Sequence, residues 1–205
     1  SSVILEYLDE LVAENALMPR DTAGRTRARI WLTRCIDIHA AINTMTFSTV
    51  LRAQILAAKT PEEIEASIAR MAHPATATKR REVLRDGLDS PHVDAAFFTL
   101  DRMFEDMQAA LDVGAWTFGS AYSITDTALL SYVDRLDRLG FSGLWETAYS
   151  AVGTWLTASR ARPSYSAIAD FAGPPDADPL RTGGATIWPE VEARWTAWRA
   201  GQAAG

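Results

Sequence analysis

The segment FGSAYSITDTA, residues 118–128, contains the strongest helix-start signal in the chain. Ser123 and Asp126 form an S-x-x-D pattern, in which the serine side chain can accept a hydrogen bond from the amide three residues later. The aspartate can in turn accept one from the serine amide, so two otherwise free donors are satisfied. The pattern predicts a structural capping box and a helix from Ser123 to about Gly140. Many helices begin in this way, so the pattern alone indicates no function.

Helix-forming residues dominate the rest of the chain, and no convincing period-2 strand pattern appears. Residues 60–63, Thr-Pro-Glu-Glu, repeat the capping pattern with proline at the first helical position. The predicted helices cover approximately residues 2–13, 22–58, 61–71, 91–114, 123–140, 142–149, 151–161, 164–170 and 188–199. Residues 73–78 are expected to interrupt the helices, and residues 173–184 to form a loop-rich tail. The sequence therefore predicts an all-α bundle with a C-terminal extension.

Composition and charge exclude several classes of protein. Apolar residues make up 48% of the 205 residues, which is enough for a sizeable core. The formal net charge of −6 argues against nucleic acid or an anionic membrane surface as the main partner, because both require a basic face. The sequence contains no run of about 18 apolar residues, so it predicts no membrane-spanning helix. The single cysteine, Cys35, cannot form an internal disulfide, so a reducing, cytoplasmic setting is expected.

The first predicted helix carries an apolar stripe along one face. Its members recur at helical spacing and are here called the α1 stripe: Val3, Ile4, Tyr7, Leu8 and Leu11. Such a stripe needs a surface to pack against, so a neighbouring structure is expected to precede residue 1. Without that neighbour, the stripe is expected to be exposed and to promote association.

Four segments, in order along the chain, resemble the glutathione transferase family. Residues 118–128 resemble its G-x-x-x-S-x-A-D block, with Thr125 in place of the usual alanine. Residues 1–8 resemble the E-S-x-x-I-x-x-Y-L stretch that closes the thioredoxin-like domain of the family, without its glutamate. Residues 17–31 resemble the linker between the two domains and the start of the first helix of the helical domain. Residues 155–165 resemble the W-x-x-R-x-x-x-R-P-S close of that domain, with Ala158 where the first arginine is often found.

The resemblance covers about residues 1–170 and implies a division of the chain. Residues 1–13 would be the last helix of a truncated thioredoxin-like domain, and residues 14–21 the linker between domains. Residues 22–170 would form the helical substrate-binding domain, followed by a C-terminal loop and capping helix over residues 171–205. The expected fold is therefore an all-α, glutathione transferase C-terminal-type bundle. The set Trp188, Trp195 and Trp198 either caps the substrate pocket or docks its helix on the bundle.

In the family, the serine that opens this last helix holds the γ-glutamyl carboxylate of glutathione. A helix N-terminus suits an anion because it offers free N–H groups and the positive end of the helix dipole. This role carries over to Ser1, with Ser2 as its neighbour. The alternative role for Ser1 is that of a plain helix N-cap. Glutathione would be the co-substrate, and no metal is expected because His39, His73 and His92 share no ligand spacing.

The first helix of the helical domain lines the pocket for the electrophilic substrate in the family. The pocket candidates are therefore Trp31, His39, Asn43 and Phe47. His39, Asn43 and Phe47 follow one another at about one helical turn, and Trp31 lies two turns before His39. A histidine there could steer an acidic substrate or donate a proton. Trp31 could instead belong to the core together with Cys35, and His39 and Asn43 could be ordinary surface residues.

No catalytic residue is expected within the chain, because in the family the thiol-activating residue lies in the thioredoxin-like domain. Nothing around Cys35 predicts a lowered thiol pKa, so it is not expected to be a nucleophile. The basic residues 79–85 are expected to form a solvated helix face.

The resemblance implies a cytoplasmic, homodimeric enzyme in which glutathione thiolate attacks a hydrophobic electrophilic molecule. The chain alone would then be inactive. The ether-cleaving branch of the family has a similar C-terminal extension, which adds glutathione-dependent cleavage of aryl ethers as a specialisation. The alternative is a non-catalytic module of the same shape for protein–protein docking. A ligand-binding domain of a regulator is disfavoured, since neither a helix-turn-helix pattern nor a basic face is found.

Overall fold

A computed structural model describes residues 1–12, 14, 16–172 and 179–203, with the backbone alone described at 169–172 and 179. Within these ranges the chain is helical and contains no strand, which confirms the predicted all-α class. The helices are α1 (Ser2–Leu11), α2 (Thr22–Ser48), α3 (Val50–Ala58), α4 (Pro61–Ala69), α5 (Pro74–Asp86), α6 (Pro91–Leu111), α7 (Ile124–Arg138), α8 (Gly143–Glu146), α9 (Ser150–Arg160), α10 (Pro163–Ala172) and α11 (Pro179–Ala203). None of them is long and apolar enough to cross a bilayer.

The predicted helix over residues 22–58 is wrong in one respect, because it is divided at Thr49. The backbone of Thr49 leaves the helical region, with φ −123° and ψ −107°. The hydroxyl groups of Ser48 and Thr49 both donate to the carbonyl of Met45. Hydroxyl side chains that bond back to the preceding turn compete with the backbone ladder and bend helices. The division turns α3 away from α2 and creates the α3–α4–α5 end of the molecule.

Two predicted loops are helical where they are described. The break predicted over residues 73–78 is limited to His73, the N-cap of α5, because α5 begins at Pro74, where proline suits the first helical position. Of the predicted tail over residues 173–184, residues 179–184 belong to α11, and residues 173–178 lie outside the described ranges. The start of α11 packs closely against the residues that follow α7. A Cβ at Gly184 would collide with the carbonyl of Leu139, so glycine permits this approach. The close approach of two backbones thus requires a residue without a side chain.

The core lies between α2, α6, α7 and α9, and α11 closes one side of it. Phe97 and Phe104 of α6 are completely buried, as is Met107. Trp195 and Trp198 of α11 stack on each other with ring centroids 5.4 Å apart and contact the ring of Phe97. The C-terminal helix is therefore docked on the bundle through its tryptophans, the second of the two arrangements expected for this set.

Helix α1 is attached to the bundle but buries no residue of its own. Ser2 donates to the carbonyl of Leu32 in α2 at 2.8 Å, and the partly buried Leu5 packs against the side chains around Cys35. The α1 stripe faces outward, with 81% of Val3 and 61% of Ile4 exposed. The stripe is thus a continuous apolar surface on the outside of the described structure.

Charged substitutions in the α1 stripe are expected to reduce the self-association of the 205-residue chain. The double variant Ile4→Lys/Leu8→Lys should form smaller species than the wild type and bind less of an apolar dye, since it breaks up the exposed apolar patch. Its stability should change little because both side chains are more than half exposed. Sedimentation velocity and dye fluorescence measure these two properties. The control is Val113→Lys, at an exposed valine outside the stripe. A wild-type chain that is monomeric and binds no dye would contradict the expectation.

Candidate functional site

The start of α7 is fixed by a buried carboxylate. The side chain of Ser123 accepts a hydrogen bond from the Asp126 amide, and the Asp126 carboxylate accepts one from the Ser123 amide at 2.8 Å. The same carboxylate also accepts from the amide of Thr117 at 3.0 Å and from Nε1 of Trp155 at 2.8 Å. Asp126 has no exposed surface. Ser123 and Asp126 form the capping box that the sequence predicts. In addition, Asp126 joins the start of α7 to the preceding loop through Thr117 and to helix α9 through Trp155.

The N-terminus of α1 opens onto a small, mostly apolar cavity against α2 and α7. The cavity has a volume of about 240 Å³, and its few polar groups come from Ser1, Ser2, Thr127, Ser131 and Tyr132, with the thiol of Cys35 beside them. Ser1 is the N-cap of α1, but its side chain makes no capping bond to the first turn. A helix start without a side-chain cap has free N–H groups, which can bind an anion.

The ionisable side chains of this cavity, Cys35 and Tyr132, are neutral at physiological pH. Burial raises the pKa of the Cys35 thiol to about 11, against a smaller opposing effect of Arg34. Burial also raises the pKa of Tyr132, helped by Cys35 and opposed by a hydrogen bond with Ser1. Both groups can therefore take part in hydrogen bonds without adding negative charge. The arrangement can hold an anion, but neither group can activate a thiol as a base.

The four predicted substrate-pocket residues lie along α2 without meeting in one pocket. Trp31 packs against the main core and carries the guanidinium of Arg34 over its ring at 4.4 Å. His39 is exposed and has its ring edge against Tyr132, with centroids 6.2 Å apart. Since each step of four residues rotates by about 40° and rises about 6 Å, Trp31 and Phe47 lie about 24 Å apart along the axis. Through Tyr132, His39 contacts the wall of the cavity at Ser1 without lining the cavity itself.

Asn43 and Phe47 are instead held by Arg80 of α5, a residue that the sequence placed on a solvated face. Arg80 donates to Oδ1 of Asn43 at 3.0 Å, and its guanidinium lies over the Phe47 ring at 3.1 Å from the centroid. The solvated-face expectation is therefore wrong for Arg80, although the exposed Arg81 fits it and pairs with Glu65. No local pattern could have identified Arg80, because it is 37 residues from Asn43 in the sequence.

Metal ligands do not cluster in the part of the chain that the structure describes. No group of three or more His, Cys, Asp or Glu side chains there could hold a metal ion. His92 is paired with Glu82, Nε2 to Oε2, at 2.7 Å.

Comparisons with known proteins identify a structural neighbour. No protein-family model matches the chain, and no curated protein matches it in sequence. The crystal structure of the beta-etherase LigF from Sphingobium sp. strain SYK-6 is similar, with a TM-score of 0.68 and 21% sequence identity. The match covers 83% of this chain and 72% of that chain. At this identity the similarity shows the fold: the described part of the chain is an all-α helical bundle that shares the fold of the matching part of that structure.

Proposed function

We propose that this chain is the substrate-binding helical part of a glutathione transferase, an enzyme in which glutathione thiolate attacks a hydrophobic electrophile. The observation that carries the proposal is the uncapped N-terminus of α1, which opens onto a small cavity in a bundle of this fold; the cavity wall is mostly apolar and has hydroxyl groups near Ser1. The protein would act as a cytoplasmic homodimer without nucleic acid or membrane as partner. No catalytic residue is assigned within the chain.

The γ-glutamyl carboxylate of glutathione would bind at Ser1 and the first turn of α1. The residues present fit this group, since Ser1 offers a hydroxyl and the first turn of α1 offers backbone N–H groups beside the neutral side chains of Cys35 and Tyr132. The hydroxyl of Ser2 already donates to the carbonyl of Leu32 and is left to accept only. The cavity, at about 240 Å³, is smaller than the roughly 300–1,000 Å³ that is usual for a complete small-molecule site. The cavity would therefore hold only the γ-glutamyl end of glutathione, and the rest of the glutathione molecule would lie outside the cavity.

The electrophile would lie along the exposed face of α2, with His39 closest to the glutathione end. His39 would donate a proton to the leaving group, and Trp31, one turn from Cys35 on the other side, would contact the substrate. Asn43 and Phe47 are engaged by Arg80 and are not assigned to this substrate. The fold shared with a beta-etherase favours aryl ether cleavage as the specific reaction. In that reaction, sulfur displaces an aryloxide from carbon, and the aryloxide oxygen takes up a proton.

A non-catalytic docking module is the second candidate. The observation that favours it is the α1 stripe, whose exposed apolar side chains could bind another protein. Glutathione binding distinguishes the two candidates.

Titration with glutathione, followed by amide NMR shifts, tests the proposal. Glutathione should shift the amides of residues 1–5 and of Ser131 and Tyr132. Ser1→Ala should weaken the affinity about fivefold through loss of one hydrogen bond to a charged group. The matched control is Ser150→Ala, another exposed serine at a helix start, which should leave the affinity unchanged. Absence of binding, or shifts elsewhere in the molecule, would reject the glutathione site and leave the docking module.

A further inference from the structure

A second cavity lies at the opposite end of α2, enclosed by α3, α4 and α5. Its volume is about 320 Å³, which lies within the range of small-molecule sites. Its wall is mostly apolar and is formed by Phe47, Ile55, Ile64, Ile68, Met71 and Leu84, together with Ser67. The division of the helix at Thr49 creates this space, because α3 leaves the direction of α2 there. The apolar wall favours a ligand with a hydrocarbon or aromatic body.

Two cations, Arg80 and Lys59, complete the wall of this cavity. Neither pairs with a carboxylate among the described residues, and no acidic residue lines the cavity there. The neighbouring Arg81 differs, since it is paired with Glu65. Burial lowers the pKa of Arg80, so its positive charge is partly desolvated without an opposing anion. An anion that entered the cavity would supply the missing charge.

The guanidinium of Arg80 is already held in position. Oδ1 of Asn43 accepts from one of its terminal nitrogens at 3.0 Å, and the Phe47 ring supports its face. A guanidinium has five N–H donors, so others remain for a ligand. Its planar fork matches the two oxygens of a carboxylate better than a single point charge would. Preorganisation of this kind reduces the entropy that binding would otherwise cost.

We propose that the α3–α4–α5 cavity binds apolar carboxylates, with the hydrocarbon or aromatic body among the apolar side chains and the carboxylate at Arg80 and Lys59. The ligand class is a monoanion of the size of an arylalkanoate or a medium-chain fatty acid. This site is distinct from the cavity at Ser1, since Cys35 and Phe47, which line the two cavities, lie about 18 Å apart along α2. The proposal does not rest on glutathione chemistry and applies equally to an enzyme or a docking module.

The test is a titration of the full chain with phenylbutanoate, octanoate and the neutral isostere phenylbutanamide, followed by amide NMR shifts. Each acid should shift the amides of residues 47–84 and leave those of α1 unchanged. The amide analogue should bind at least about tenfold more weakly, because it lacks the charge that Arg80 and Lys59 recognise. Equal affinity for acid and amide, shifts outside this region, or no acid binding tighter than about 10 mM would overturn the proposal.

Substitutions of Arg80 and Lys59 test whether these two cations bind the carboxylate of the ligand. Arg80→Gln, which retains an amide near Asn43, should weaken phenylbutanoate binding about tenfold, and Lys59→Gln about threefold. The matched control is Arg70→Gln at the exposed end of α4, outside the cavity, which should bind normally. If Arg80→Gln fails to fold, Ser67→Phe provides a second route, since it fills the cavity and should prevent binding of acid and amide alike. Normal binding by both Arg80→Gln and Ser67→Phe would overturn the site.

Discussion

Asp126→Ala is expected to lower the free energy of unfolding by about 4 kcal/mol, the largest effect of any single substitution considered. The carboxylate accepts from the amides of Thr117 and Ser123, the Ser123 hydroxyl and the indole of Trp155. All of these bonds are buried, so water cannot replace the lost acceptor. Each buried donor without an acceptor costs about 1–3 kcal/mol. Urea denaturation followed by far-UV circular dichroism measures the change.

The matched control is Glu63→Ala, because Thr60 and Glu63 form the same capping box at the start of α4. Both residues are exposed, so water can satisfy the donors that Glu63 releases. Its effect should be much smaller than that of Asp126→Ala. Similar losses for the two variants would show that Asp126 acts only as a local helix cap and does not join α9 to α7.

Asp134→Ala is expected to lower the free energy of unfolding by about 3 kcal/mol. Asp134 accepts from Nε of Arg138 at 2.6 Å, from Nε of Arg160 at 2.8 Å and from the Tyr165 hydroxyl at 2.6 Å. Its side chain is only 14% exposed, and that of Arg138 only 7%. The substitution removes a carboxylate from poorly solvated guanidinium groups, which costs far more than the loss of a surface pair. The control is Asp94→Ala, whose carboxylate pairs with Arg194 and is 46% exposed.

The Asp134 cluster should also determine part of the acid sensitivity of the protein. Burial alone would raise the pKa of Asp134, but hydrogen bonds from Tyr165, Arg138 and Arg160 outweigh it and hold that pKa below its ordinary value. A carboxyl group with a lowered pKa in the folded state contributes stability above its unfolded pKa, near pH 4. The contribution is lost as the pH falls through the lower, folded value. Unfolding free energies measured across this range should therefore depend less on pH in Asp134→Ala than in the wild type.

Features that depend on neighbouring residues could be predicted from the sequence. The all-α class, the capping boxes at Thr60 and Ser123, and the exposed α1 stripe follow from patterns within one or two helical turns. The start of α5 at Pro74 was also locally encoded, because proline favours the first turn of a helix. The division of α2 from α3 was not predicted, because it depends on whether the hydroxyls of Ser48 and Thr49 bond to the preceding turn or elsewhere.

The candidate sites were predictable only in part, because their residues contact side chains of other helices. Helical spacing placed His39, Asn43 and Phe47 along one helix, but it could not show which other helix each would contact. Asn43 and Phe47 meet Arg80 because α5 packs beside the end of α2, and His39 meets Tyr132 because α7 packs beside its middle. The partners of a helical residue outside its own helix depend on how the helices cross.

The sequence by itself determined the all-α class, the caps of α4 and α7, the acidic charge and the amphipathic nature of α1, since these arise from composition and from interactions between residues close in the chain. Only the tertiary structure decided that Asp126 receives the Trp155 indole from 29 residues away, and that Arg80 lies on Phe47 beside a cavity without a carboxylate. The physical reason is that the burial and pairing of a charge depend on the packing of all the surrounding helices, which no short stretch of sequence specifies.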